Sequence, residues 1–496
     1  MSEVSLMPLY FVVIPGMAAL LIMITGEKKP NIRETWTIIA SISNVALVFY
    51  VLPRLLAGDL MQTARYSLVP NVDFFLKIDA AGMLFASLAS ILWVATSFYG
   101  IGYMRAEKKK NQTGFFASFA VCISAVMGIS FSGNLLTFFI FYEILTIATY
   151  PLVVHSRNEE SINSGRKYLA YTLISGQVFL FGIIWLYHLT GTTDFVPGGS
   201  IGTSGNPISL TIIFILLILG SAVKAGIMPF HGWLPAAMVA PTPVSALLHA
   251  VAVVKAGVFS IVRIVGFIFG FDLLNTLGIV DYLAWLAAFT IIVASIIALR
   301  QDNLKRRLAF STIGQLSYIV LGVALANEQA FLGGLFHIAA HAFMKITLFF
   351  CAGAIFVNTG FKYISEMHGI GRKMPITMAM FGIASLGISG MPFTVGFISK
   401  WNLVMGSIAG GKIFYVIVFV ASAMLSATYL FTIFVMAFYE KNDNFTEYGE
   451  VREDMLIPII FTGIMSIILG INPNFLVKFY DLAIISAEIV SKGIGG

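Results

Sequence analysis

The sequence predicts an all-α integral membrane fold of about fourteen transmembrane helices, and three observations carry that prediction. Of 496 residues, 58% are hydrophobic and only 11% are charged. Soluble globular chains carry roughly 25% charged residues, so this chain has too little polar surface to cover a water-soluble body. Mean hydropathy is +0.91, and apolar runs near the roughly 20 residues needed to cross a bilayer follow one another from end to end. Basic residues then alternate from one connecting loop to the next, the pattern that orients a polytopic chain.

Spans are expected at 8–26, 35–56, 79–103, 114–131, 134–154, 167–189, 209–240, 242–270, 276–299, 305–326, 330–358, 375–409, 413–440 and 453–472. The first is expected to remain as a span, because no Lys or Arg precedes Glu27 and a secretory leader begins with a basic region. Lys28, Lys29 and Arg33 lie in the first loop, Arg105 and Lys108 to Lys110 in the third, and Arg157, Arg166 and Lys167 around the fifth. Arg300 and Lys305 to Arg307 flank the ninth loop, and Lys362, Arg372 and Lys373 the eleventh. The fourth, sixth and tenth have none; the second is long and mixed, with Arg54, Arg65 and Lys77 beside Asp59 and Asp73. Odd loops are therefore expected in the cytoplasm and both termini outside the cell membrane.

Two spans are interrupted. One reads Gly226-Ile227-Met228-Pro229-Phe230-His231, and the other Gly390-Met391-Pro392-Phe393. Proline removes a helix donor and clashes with the preceding turn, at about 3 kcal/mol in a helix interior. Such breaks persist at membrane depth where the backbone is buried in protein or lines a wet cavity. The two share Met-Pro-Phe and lie five spans apart, and paired broken helices are the sign of a repeat transporter. Residues 111–272 and 273–440 are expected to form two five-helix repeats, inverted because five is odd. Residues 1–110 precede them as three helices, and 441–496 follow as a fourteenth helix and tail.

Lys224, Lys255, Lys345 and Lys400 fall inside spans, as do Glu143, His249, His337 and His341. A charge at the centre of a spanning helix costs roughly 2.5–3.5 kcal/mol on insertion scales, so a series of them points to function. The chemistry they offer is proton transfer. Burial disfavours a charged lysine and an adjacent carboxylate favours it, so a lysine that gains or loses a Glu neighbour switches between holding and releasing a proton. Glu143 with Lys224 is the expected modulating pair. Lys224 borders the first break and Lys400 the second, while Lys255 is expected at mid-helix. His337, His341 and Lys345 share one helical face at spacings of four. His231, after Pro229, and His249 are further relay candidates. Each group also has a plain structural alternative: a buried ion pair for Glu143–Lys224, side chains reaching the headgroups for Lys345 and Lys400, and an interhelical hydrogen bond for His249. His155 and His368 are expected to be solvated, and the acidic run from Glu440 to Asp454 to be a solvated inner loop.

Other chemistries find no footing. Cys122 and Cys351 lie inside apolar runs, two thiols being too few for an iron–sulfur cluster. His337 and His341 have no Cys or carboxylate beside them to complete a metal site. No phosphate loop or dinucleotide fingerprint occurs, so no cofactor is expected. The net charge of +6 is accounted for by the orienting loops, and nucleic acid is not an expected partner.

The stretch from Lys224 through Trp233-Leu-Pro, Ala240-Pro-Thr-Pro-Val-Ser-Ala-Leu-Leu-His-Ala and Val254-Lys255-Ala-Gly-Val resembles the signature of the antiporter-like subunits of respiratory complex I, Mrp sodium/proton antiporters and membrane-bound hydrogenases and sulfur reductases. The segments Asp302 to Gln315 and His337 to Lys345 look like two further blocks of that family. The resemblance, over residues 75–440, implies a central hydrophilic axis carrying protons, in some members exchanged for Na⁺. It places Glu143 and Lys224 as the coupled pair, Lys255 as the relay, His337, His341 and Lys345 as the connecting stretch, and Lys400 as the terminal group. It also implies partner membrane subunits, both homologous antiporter-like ones and small ones. One departure is Ala236-Ala237-Met238, where the family often has a polar triplet after Trp-Leu-Pro. A stand-alone ion transporter and a purely structural membrane subunit are the alternative functions.

Overall fold

Asparagine or aspartate stands at the head of six spans, and the helices begin where they do for that reason. The side-chain oxygens of Asp79, Asn134, Asn158, Asn206, Asn303 and Asn327 accept hydrogen bonds of 2.7–3.1 Å from backbone amides two or three residues on. Each satisfies a donor that the helix start leaves open. Glycine in the left-handed conformation closes the carbonyl ends at Gly191, Gly226, Gly278, Gly360 and Gly390.

The computed structural model describes residues 3–69, 72–202, 205–440, 445 and 447–493. The first seven helices are α1 (Met7–Thr25), α2 (Pro30–Leu56), α3 (Ala80–Ala106), α4 (Gln112–Phe131), α5 (Leu135–Val153), α6 (Glu159–Thr190) and α7 (Pro207–Ala225). The first break follows, holding the turn α8 (Trp233–Ala236); then come α9 (Thr242–Ala250), α10 (Val253–Arg263) and the short α11 (Phe271–Leu277). The second half contains α12 (Val280–Leu299), α13 (Leu304–Ala324), α14 (Glu328–Thr359), α15 (Pro375–Ser389), α16 (Val395–Ala409), α17 (Ile413–Tyr439), α18 (Glu453–Ile471) and α19 (Phe479–Lys492). Two short pairings lie outside the bundle: β1 (Glu3–Val4) runs parallel to β2 (Met61–Gln62), and β3 (Tyr66–Val69) antiparallel to β4 (Val72–Phe74).

Among the described residues, 13 helices are long and apolar enough to cross a membrane. The interrupted pair α15–α16 supplies the fourteenth span, so the chain is a multi-pass membrane protein of the expected architecture. Burial sorts the spans. The apolar windows of Thr242–Phe269, α13, α3 and α14 are 100%, 94%, 89% and 89% buried, against 33% for α1 and 39% for α2. The former are the interior of the bundle and the latter lie on its exposed face. Neighbours repeat in the same order: α4 packs on α5, α5 on α6, α6 on α7 and α7 on α10; α12 packs on α13, α13 on α14, and α14 on α15 and α16, which meet α17.

Four expectations need correction. The eighth span is also interrupted, between Ala250 and Val253, so Lys255 stands in the first turn of α10 and not at mid-helix. No proline or glycine falls at that gap, which is why the sequence hides it. The tail carries a helix, α19. Glu450, expected in a solvated run, caps α15 by accepting from Ile376 N (2.7 Å), Thr377 N (3.1 Å) and Thr377 Oγ1 (2.5 Å); Asp443 of that run lies outside the described residues. His155 is buried against the Phe115 ring, and burial holds its imidazole below the usual histidine range. His368, by contrast, is exposed as expected and pairs with Glu440.

Candidate functional site

Glycine sets how closely the interior helices approach. A Cβ on Gly257 would lie 2.2 Å from the amide nitrogen of Ala225 and 2.4 Å from the carbonyl carbon of Lys224, so the turn of α10 that carries Lys255 presses directly on the carbonyl end of α7. Replacing Gly257 by alanine is therefore expected to push these helices apart and lower thermal stability by about 1–3 kcal/mol, as overpacking does. Thermal unfolding in detergent checks this; an unchanged midpoint would mean that the contact is soft.

At that end of α7 sits Lys224, fully buried. Its Nζ donates to the carbonyl of Tyr142 at 2.6 Å, lies 3.2 Å from the Tyr142 ring centroid, and stands 3.8 Å from Glu143 Oε1. That oxygen has no hydrogen-bond partner among the described residues. The pair is thus close enough to attract and too far to lock, which suits a contact that forms and breaks. Its environment is uneven, with Lys224 wholly enclosed and Glu143 17% exposed.

A second group spans both halves. Lys255 Nζ lies 2.9 Å from His341 Nδ1. The His341 ring stands 6.1 Å from that of His337, one turn away on α14. His337 Nδ1 lies 2.8 Å from Ser399 Oγ, and its Nε2 lies 3.2 Å from Gln315 Oε1. Because that amide oxygen can only accept, Nε2 carries a ring proton, while Ser399 Oγ, at Nδ1, also donates to the carbonyl of Gly396 at 3.0 Å. Lys400, next to Ser399, donates to the carbonyl of Ile388 at 2.5 Å and lies 4.8 Å from the Tyr318 ring centroid. Lys224 and Lys400 each hold their ammonium by a tyrosine ring beside a broken span, Lys224 from the last turn of the first half and Lys400 from the second half, reaching back to the carbonyl end of α15. A helix end of this polarity carries roughly half a negative charge.

Lys345 branches away from this line. Its Nζ donates to Ser311 Oγ at 2.7 Å, and it is as buried as Lys255. Lys345 and Lys400 are both buried within the bundle. His249 is buried against Phe349 with both ring nitrogens unpartnered among the described residues, so it makes no interhelical hydrogen bond. His231, at the first break beyond Pro229, packs near Phe310 with Nδ1 unpartnered. Neither histidine joins the line from Lys255 to Lys400. Pro392 stands with Met391 and Phe393 on the exposed side of the second break.

Sequence reasoning missed Tyr142, Gln315, Tyr318 and Ser399, whose polar groups mark no charge in an apolar run. It also missed a signal that was available. Arg263 lies inside the eighth span, fully buried, and grips Asp79 through Nη1 at 2.5 Å and Nη2 at 2.9 Å. Cys122 and Cys351 are free, buried packing residues.

A family profile described as "NADH:quinone oxidoreductase/Mrp antiporter, TM" matches residues 132–426. The chain is 32% identical over 411 residues to NADH-quinone oxidoreductase subunit N of Desulforudis audaxviator, covering 77% of this chain and 80% of that one. It is 26% identical over 402 residues to a Na⁺/H⁺ antiporter subunit of Bacillus subtilis, covering 80% and 81%. Among solved structures, a chain of the archaeal membrane-bound sulfane sulfur reductase superposes with a TM-score of 0.84 at 21% identity, over 98% of both chains. That likeness establishes the shared fold.

Proposed function

Because this chain belongs to the NADH:quinone oxidoreductase/Mrp antiporter transmembrane family, we propose that it translocates protons, with Na⁺ as an exchanged ion where the complex is an antiporter, as one subunit of a multisubunit membrane assembly. The observation that carries this reading is the line of buried proton-carrying groups through the two halves: Glu143 and Lys224, then Lys255, His341, His337, Ser399 and Lys400. Residues 111–272 and 273–440 are the two repeats in this reading, and each places a lysine beside its broken span, Lys224 before the first break and Lys400 after the second. Alternating basic loops support a cytoplasmic membrane location with both termini outside.

Glu143 is the switch. While it stands by Lys224, the ammonium is held; when it turns away, the enclosed Lys224 loses its counter-charge and passes its proton toward α10. Lys255 shares that proton with His341, and the two rings of α14 carry it to Lys400 beside the second break. Protein side chains supply every one of these groups.

The test is ion movement in inverted vesicles carrying the parent complex, with assembly checked on native gels. Glu143→Gln keeps shape and removes the charge, and is expected to slow proton movement about tenfold or more while assembly is unchanged, in line with couplings of 1–3 kcal/mol between linked sites. Wild-type movement would reduce the pair to structural glue. Activity of the chain reconstituted alone would favour a stand-alone transporter.

A further inference from the structure

Most serines of these spans turn their hydroxyls back onto their own helix. Ser90, Ser97, Ser130, Ser221, Ser295 and Ser385 each donate to the carbonyl four residues earlier, the usual way a membrane helix satisfies a hydroxyl. Ser311 on α13 and Ser426 on α17 are directed differently. The hydroxyl of Tyr429 donates to Ser311 Oγ at 3.1 Å, and Ser426 Oγ lies 3.1 Å from the same tyrosine oxygen. Ser311 Oγ also receives Lys345 Nζ at 2.7 Å. All four side chains are at most 1% exposed.

The direction of this chain follows from counting protons. Tyr429 has one hydroxyl proton and gives it to Ser311, so Ser426 must be the donor to Tyr429. The hydroxyls of Ser426 and Tyr429 therefore point toward Ser311, which accepts from both Tyr429 and Lys345. Arg307 fixes the arrangement from one side by donating to the Tyr429 carbonyl at 3.0 Å and to the Gln301 carbonyl at 2.8 Å. One turn back along α17, Ser422 lies 3.1 Å from Ser295 of α12, which extends the polar seam of α17 away from Lys345.

We propose that Ser426, Tyr429 and Ser311 form a hydroxyl relay that reprotonates Lys345, a branch feeding the central line from α17. The inference rests on the proton-translocating reading above and adds three residues to it. When Lys345 has given its proton to His341, its amine is neutral and accepts one from Ser311. As that N–H bond forms, the Ser311 O–H bond breaks; Ser311 takes the Tyr429 proton, Tyr429 takes that of Ser426, and Ser426 takes one from a hydrated proton arriving along the seam, which leaves as neutral water. One proton enters at Ser426, one arrives at Lys345, and each oxygen ends as it began. Tyr429 suits the middle position because its ring carries the hydroxyl from α17 to α13, a reach that serine lacks.

The experiment compares Tyr429→Phe, Ser311→Ala and Ser311→Thr in the assembled complex, with Lys255→Ala alongside. Proton movement per assembled complex and its ratio in H₂O and D₂O are the readouts, since a packing role would move stability and not the isotope ratio. Tyr429→Phe and Ser311→Ala are expected to slow movement at least about tenfold with an altered isotope ratio, and Ser311→Thr, which keeps the hydroxyl, to restore it. If Tyr429→Phe does not assemble, the Ser311 pair decides alone. Wild-type rates in Ser311→Ala while Lys255→Ala is inactive would overturn the relay and leave the central line standing. Wild-type rates in both would overturn the parent reading.

Discussion

Replacing Lys255 by alanine is expected to abolish proton movement by the assembled complex, with the largest loss of any single substitution on the line. Lys255 is the group that joins the two halves. It arises in the first turn of α10, against the end of α7 that holds Lys224, and its Nζ lies 2.9 Å from His341 on α14. Removing it takes away the amine and leaves His341 with neither ring nitrogen hydrogen-bonded, since its Nε2 has no partner among the described residues. A positioned proton-transfer group contributes roughly 10²- to 10⁴-fold, and water entering the space would replace only part of that. Lys255→Arg is expected to fail nearly as fully, because guanidinium does not deprotonate in proteins. That variant separates the two roles a lysine can have, since a fixed positive charge would be retained by arginine and a titrating amine would not. Proton uptake in inverted vesicles, normalised to assembled complex, measures both. Wild-type movement in Lys255→Arg would mean that charge alone is needed at this position and that no proton rests there.

Much of this arrangement is legible in the amino-acid sequence alone, and the reason is physical. A bilayer forces spanning segments to be long, apolar and hydrogen-bonded within themselves, so the fourteen spans stand out against polar loops, and Pro229 and Pro392 mark their breaks plainly. Charges in such a background are equally conspicuous, which is why the four lysines and Glu143 stand out. Hidden from the sequence is whatever depends on which helix faces which. Gln315 and Ser399 look like ordinary small-interface residues until His337 is placed between them. Tyr429 and Ser311 are 118 positions apart, and nothing in either neighbourhood announces the other. The gap between Ala250 and Val253 has no proline or glycine to declare it. His249 shows the opposite case, since its residue type suggests a relay while neither of its ring nitrogens has a hydrogen-bond partner among the described residues.

Asp79→Asn is expected to destabilise the fold more than any other conservative change, by about 3–5 kcal/mol, the range for removing one partner of a buried ion pair. Arg263 is fully buried, and its guanidinium lies 4.6–5.1 Å from the ring centroids of Phe195, Phe259 and Phe267. Those rings favour a cation but cannot neutralise it. Asp79 does so with two hydrogen bonds, and the remaining direct contact of that fork is the carbonyl of Ser130 at 3.2 Å. An asparagine in its place could still cap α3, because its side-chain oxygen can accept from the amide of Gly82 as Asp79 Oδ1 does at 2.7 Å; the loss is then the counter-charge and the hydrogen bond that Nη1 gives to Oδ2. The reverse change, Arg263→Met, is expected to be milder. It leaves Asp79 with its cap and 23% exposed, so water can reach the carboxylate. Combining the two removes both charges, and the pair is expected to recover most of the stability that Asp79→Asn loses, as buried ion pairs replaced by apolar groups often do. Thermal unfolding of the purified complex gives all three values, and the cycle they form isolates the interaction. Additive losses would show that Arg263 and Asp79 act separately. Non-additivity with proton movement intact in the double variant would place this pair in the scaffold of the bundle and off the conducting line, a distinction that neither charge nor burial draws for Lys224 and Glu143.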